Sequence, residues 1–184
     1  MKNSKHPNRI PFEGVLTRLD EVSDAAPSGA RGHRVLLTTA AAEEAIDSLL
    51  GMAVGFKTGW DGHDARQRCG VITMAWIEEG AVRVRGHIFG RDFPDVIRTM
   101  ETQEDPLGMS YELAEAHVAD MRAQVWTVTR ATFVGAAILK AKKAAYRSTR
   151  INLSAEVERF TGQLQHVQSK GRIHLVRGGT RCKA

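Results

Sequence analysis

The stretch GVITMAWIEEGAVRVRGHIF, residues 70–89, decides the fold class. Two runs of alternating apolar and polar side chains flank Glu79-Gly80, and that pattern predicts an antiparallel hairpin closed by a two-residue turn. The second run places Val82, Val84 and Ile88 on one face and Arg83, Arg85 and His87 on the other. Such alternation belongs to a sheet with one buried and one solvated face, which makes a solvated face the first account of the two arginines.

Working outward, IPFEGVLTRLD (residues 10–20) and RVLLTT (34–39) read as strands, separated by a loop rich in Ser, Pro and Gly. TTAAAEEAIDSLLGM (38–52) reads as a short amphipathic helix, with Thr38 or Thr39 as cap and Gly51 as its end. AVGFKTGWDGHDARQRCG (53–70) is polar and punctuated by glycine, so it reads as a long loop, and loops of that length are frequently functional. A helix is expected over RDFPDVIRTMETQ (91–103), capped by Asp92 with Pro94 in its first turn. The alternation in DPLGMSYEL (105–113) predicts a strand that buries Leu107, Met109, Tyr111 and Leu113 and turns Ser110 to the other face, with His117 in the turn after it. A further strand is expected over AQVWTVTRATF (123–133), a helix from about Ala136 to Tyr146, and one more helix within 152–168. Strands with inserted helices, without regular βαβ alternation, predict an α+β domain on an antiparallel sheet or small barrel with flanking helices. Neither a dinucleotide-binding nor a P-loop glycine signature is present.

Length and composition fit this picture. A chain of 184 residues suits one domain with a sizeable core. No apolar run approaches the roughly 20 residues that cross a bilayer, and the basic start lacks an apolar core of a secretory signal, so no membrane partner and a cytoplasmic location are expected. Cys69 and Cys182 lie far apart, which argues against a disulfide framework or a zinc knuckle, and no cofactor is implied. The net charge of +5 is unevenly spread: residues 140–184 hold eleven Lys or Arg against Glu156 and Glu158, while the first 139 hold fifteen basic and nineteen acidic residues. A mildly acidic body over residues 1–146 with a basic tail over 147–184 is therefore expected, and such a tail can make weak nucleic-acid contacts or be a solvated terminus.

A serine hydroxyl attacks a carbonyl only when a base, most often histidine, takes its proton. Ser110 and His63 are the candidates, His63 because it ends the glycine-flanked loop just before the hairpin. LGMSYEL is not the nucleophile elbow of α/β-hydrolases, because no glycine follows the serine at the second place. Trp60, Trp76 and Trp126 read as packing anchors, and the spacing of His63, His87 and His117 gives no support to a metal site.

Taken together, WDGHDARQRCGVITMAWIE (60–78) and LGMSYEL (107–113), in this order and 47 positions apart from His63 to Ser110, resemble the tailed-phage prohead maturation proteases, relatives of the herpesvirus assemblins. TFVGAAILKAKKAAYRST (132–149) echoes the Mu-like protease and scaffold branch, and the resemblance spans about residues 10–150. It implies a herpesvirus-protease-like fold and a serine endopeptidase that cleaves scaffold, capsid and its own termini inside the assembling prohead, in the cytoplasm of a bacterial host. The implied partners are the major capsid protein, a scaffold protein and other copies of the chain. Ser110 would be the nucleophile and His63 the general base and acid. The family often carries an acidic residue or a second histidine on the strand after the serine. Here no Asp, Glu or His occurs between Arg122 and Glu156. Thr132 is the candidate for the third position, with Asp64, Asp120 and His87 as alternatives, and Arg122 and Arg130 are candidates for the oxyanion side. That departure keeps open a catalytically inactive scaffold or decoration protein with the same fold.

Overall fold

The computed structural model describes residues 6–154 and the backbone of residues 174–175. Among the described residues, nine strands form one sheet: β1 (Ile10–Arg18), β2 (Arg34–Leu37), β3 (Ala53–Phe56), β4 (Arg68–Glu78), β5 (Ala81–Ile88), β6 (Leu107–Val118), β7 (Val125–Lys140), β8 (Arg150–Leu153) and β9 (His174–Leu175). Two α-helices among the described residues interrupt them, α1 (Thr39–Ala45) and α2 (Pro94–Thr102). The strand order is β2-β7-β3-β4-β5-β1-β8, with β6 on the other side of β7 and β9 beside β4. Most pairings are antiparallel, while β2 and β3 both run parallel to β7. The sheet curls into a half-barrel, and β1 and β8 approach β6. The α+β class expected from the sequence holds.

Local chemistry explains the elements. The β4–β5 hairpin turns on Glu79 and Gly80, both at positive φ (51° and 66°). In β5, Val82, Val84 and Ile88 are fully buried, and Arg83, Arg85 and His87 stand on the opposite face. α1 starts at Thr38, whose hydroxyl accepts the Ala41 N–H at 3.2 Å. α1 lies against β7 between the stretches of that strand taken by β2 and β3, and in this gap the Ser48 hydroxyl accepts the Phe133 N–H at 3.0 Å. The core joins Phe12, Leu16, Leu37, Leu49, Ile72, Met109, Phe133 and Ile138.

Several expectations are corrected. The stretch 53–70 is not one loop: Ala53–Phe56 is β3, paired with β4 and β7, and Arg68 already starts β4. The helix expected over 136–146 is the end of β7, followed by a 3-10 turn at Ala141–Lys143. The run Ala136, Ala137, Ile138, Leu139 is buried, and pairing with β3 on one edge and β6 on the other outweighs alanine's helix propensity. α2 is capped by Phe93 without a side-chain hydrogen bond, because Asp92 accepts from the Asn8 amide at 2.7 Å instead. His117 lies within β6, not in a turn. The folded body continues past Tyr146: Tyr146 and Thr149 are buried and β8 pairs with β1, so residues 147–153 of the expected tail belong to the folded body, with Arg150–Leu153 in the sheet. Part of the helix expected within 152–168 falls on β8, and its remainder lies outside the described residues. Among the described residues no helix is long and apolar enough to cross a membrane.

Candidate active site

β6 carries the site. Met109 is buried and Tyr111 packs edge-on against Phe133, so Ser110 and Glu112 stand together on the opposite face. Across β7 and β3 the register runs Ser110, Ala137, Gly55, and the next row is Glu112 and Gly135. These rows offer almost no side-chain bulk, and two other groups occupy the room. A Cβ on Gly135 would collide with Glu112 Oε2, so the carboxylate lies flat over that glycine. A Cβ on Gly55 would sit 3.0 Å from the Gln67 carbonyl and 3.4 Å from that of Asp64, so glycine there lets the turn of residues 64–67 rest on the strand.

That turn brings in His63. After β3 the chain reverses through Lys57–Trp60, where the Trp60 N–H donates to the Lys57 carbonyl at 2.8 Å and the indole stacks on Phe56 at 5.1 Å. Lys140 N–H, at the end of β7, donates to the Trp60 carbonyl at 2.9 Å and ties the loop to the sheet. Asp64 accepts the Arg66 N–H at 2.9 Å and its guanidinium at 3.1 Å, and these bonds hold its carboxyl at about 2. Pinned at both ends, the loop places His63 Nδ1 3.4 Å from Glu112 Oε1.

His63 is largely shielded, with 23% of its side chain exposed against 51% for Glu112. Burial pushes its pKa below the ordinary value, the Glu112 carboxylate raises it in part, and the nearby Arg68 guanidinium lowers it further. The pair meets the distance of an ion pair, yet burial outweighs the attraction, so the ring is neutral near pH 7. A neutral imidazole is the form a general base requires, and Glu112 acts on it through charge at 3.4 Å rather than through an aligned hydrogen bond. Gly55, His63, Asp64, Ala65, Arg68, Glu112, Ala136 and Ala137 surround a small space of about 10 Å³, roughly enough for one water molecule. Ser110 is half-buried, and among the described residues its hydroxyl has no hydrogen-bond partner.

The structure gathers Glu112 and Arg68 around His63, whereas Ser110, two residues from Glu112 on β6, is not among the residues around the cavity and makes no hydrogen bond to His63; the other candidates lie apart. Thr132 faces Ala114 in the β6–β7 ladder and donates to Glu115 at 3.5 Å, so it does not orient His63. Asp64 lines the cavity but is engaged by Arg66. Asp120 accepts the Arg122 N–H in the turn between β6 and β7, and His87 pairs with Pro11 and Val71 on β5. Arg122 and Arg130 do not line the cavity, and Arg68 is the arginine that does. Glu112 was open to sequence reasoning through strand alternation, since it shares a face with Ser110.

The chain matches no protein-family model and no curated protein.

Proposed function

We propose that the chain is a serine endopeptidase in which Ser110 is the nucleophile, His63 the general base and acid, and Glu112 the carboxylate that orients the imidazole. The observation that carries this reading is the His63 Nδ1 contact with Glu112 at 3.4 Å, with the serine two residues away on the same strand face. The sequence resemblance to prohead maturation proteases adds the setting: cleavage of scaffold, capsid and the chain's own termini during phage head assembly.

Nε2 of His63 takes the Ser110 hydroxyl proton as Oγ bonds to the scissile carbonyl carbon. The Nδ1 proton stays on the ring, beside Glu112, whose charge stabilises the imidazolium. His63 then gives the Nε2 proton to the leaving amine as the C–N bond breaks, leaving an ester on Ser110. Water, deprotonated by His63, attacks that ester and releases the carboxylate product with Ser110 restored. Catalytic hydrogen bonds are often long before substrate binds, so an unengaged Ser110 hydroxyl is compatible with this sequence. Arg68 lies on the cavity wall, where its charge can face a developing oxyanion.

The same unengaged hydroxyl favours a second reading, an inactive scaffold or decoration protein with this fold. Incubation with the capsid and scaffold proteins of the head it assembles in separates the two. Discrete fragments from the wild-type chain and none from Ser110→Ala support the peptidase, whereas cleavage undiminished in Ser110→Ala overturns it.

A further inference from the structure

A second cavity lies away from His63, on the outer face of β5, β1 and β8. It has a volume of about 280 Å³, with Glu13 and Val15 on its floor and Arg83, Arg150 and Asn152 on its walls. The ladder sets Val15 directly between Arg83 and Arg150, so two guanidinium-bearing residues bracket one apolar side chain two strand spacings apart, about 10 Å. Trp76 continues the same row on β4, with the Arg85 guanidinium 5.1 Å from its ring centre.

The two walls are held differently. Arg150 Nη1 donates to the carbonyls of Arg147 and Thr149, both at 2.6 Å, and no carboxylate among the described residues pairs with it. Backbone acceptors thus fix its direction without neutralising its charge. Arg83 contacts Glu78 at 3.1 Å and Glu79 at 2.9 Å, but both carboxylates are more than half exposed on the hairpin turn. Arg83 Nε is buried, and its hydrogen does not point at an acceptor despite the short approach of Glu78. Exposed pairs of this kind contribute little and exchange readily for a better-placed anion. Glu13, the acid on the floor, is taken by Arg85 at 2.7 Å.

β8 also touches the strand of the candidate nucleophile. The Met109 N–H donates to the Thr149 hydroxyl at 3.2 Å, joining residues adjacent to Ser110 and Arg150.

We infer that this groove is a recognition site for an extended acidic segment of a polypeptide, with Arg83 and Arg150 each taking a carboxylate and Val15 meeting an apolar or small residue between them. Carboxylates on alternate residues of an extended chain lie about 7 Å apart, within reach of two long arginine side chains. The inference rests on the peptidase reading for its purpose, the capture of acidic substrate chains, but its test does not depend on catalysis.

The full chain carrying Ser110→Ala is titrated into a fluorescein-labelled peptide alternating glutamate and serine, and anisotropy is read. Saturable binding is expected, with Arg150→Gln and Arg83→Gln each weakening it about tenfold while circular dichroism and melting temperature stay unchanged. The glutamine version of the peptide should not bind, and oligothymidylate of equal charge should displace the acidic peptide poorly. Undiminished affinity in both arginine variants, binding of the glutamine peptide, or equal displacement by oligothymidylate would overturn the inference, the last because it points to a general polyanion surface. If acidic-peptide binding passes these tests while an active-serine probe leaves Ser110 unlabelled, the groove stands and the peptidase reading falls.

Discussion

Replacing Glu112 by glutamine is the most informative single change, because it keeps shape and hydrogen-bonding capacity and removes only the charge beside His63. At 3.4 Å, two unit charges interact by about 1 kcal/mol in a water-like medium and about 5 kcal/mol at an effective dielectric near 20. Glu112 is half exposed, so the lower end, about 1 kcal/mol, applies. The two remaining influences, burial and Arg68, both push His63 down, so its pKa in Glu112→Gln should fall below the wild-type value. NMR titration of the His63 ring in Ser110→Ala and in the double variant reads the shift directly. In the otherwise wild-type chain the same change should lower kcat by roughly tenfold to a hundredfold with little effect on KM, since an amide cannot stabilise the imidazolium. A His63 pKa that stays put or rises would refute the contact as the source of the tuning.

Gly135→Ala should act on the same pair through sterics: its Cβ would displace Glu112 Oε2, so His63 titrates lower, as in Glu112→Gln, although every charged group is retained. Stability should fall as the medium is acidified. His63 and His87 both have pKa values below 6.5 in the fold, so below pH 6.5 the unfolded chain takes up protons first, and the loss continues until the pH passes their lowered values. Denaturant midpoints between pH 7.5 and 5 check this, and a midpoint that rises on acidification would contradict it. Cys69 is buried and burial pushes its thiol to about 12, so iodoacetamide should leave it unmodified in the native protein and label it after unfolding. Ser48→Ala removes the acceptor for the Phe133 N–H in the gap between β2 and β3, and should cost about 1–3 kcal/mol in chemical denaturation.

How much of this was legible in the sequence depended on how local the cause was. The Glu79-Gly80 turn, the Thr38 cap and the inward face of Leu107, Met109 and Tyr111 follow from neighbouring residues, and each was readable. β3 was not, because Ala53–Phe56 is four residues long with a glycine inside, and its strand character comes from β4 and β7 on either side. The end of β7 misled for a related reason, since an alanine-rich run favours a helix until two strands claim both of its edges. At the site, Ser110 and His63 stood out by context. Their setting did not: Glu112 meets His63 only because Gly135 clears the space and Gly55 lets the 64–67 turn lie on the sheet. Thr132, the candidate from the next strand, spends its hydroxyl on Glu115.

The proposal turns on whether the Ser110 hydroxyl is activated. Treating the folded chain with a fluorophosphonate and locating the adduct by mass spectrometry tests this most directly. The account predicts one adduct, on Ser110, lost in His63→Gln and slowed in Glu112→Gln. No adduct on Ser110, or one formed equally fast without His63, would contradict it.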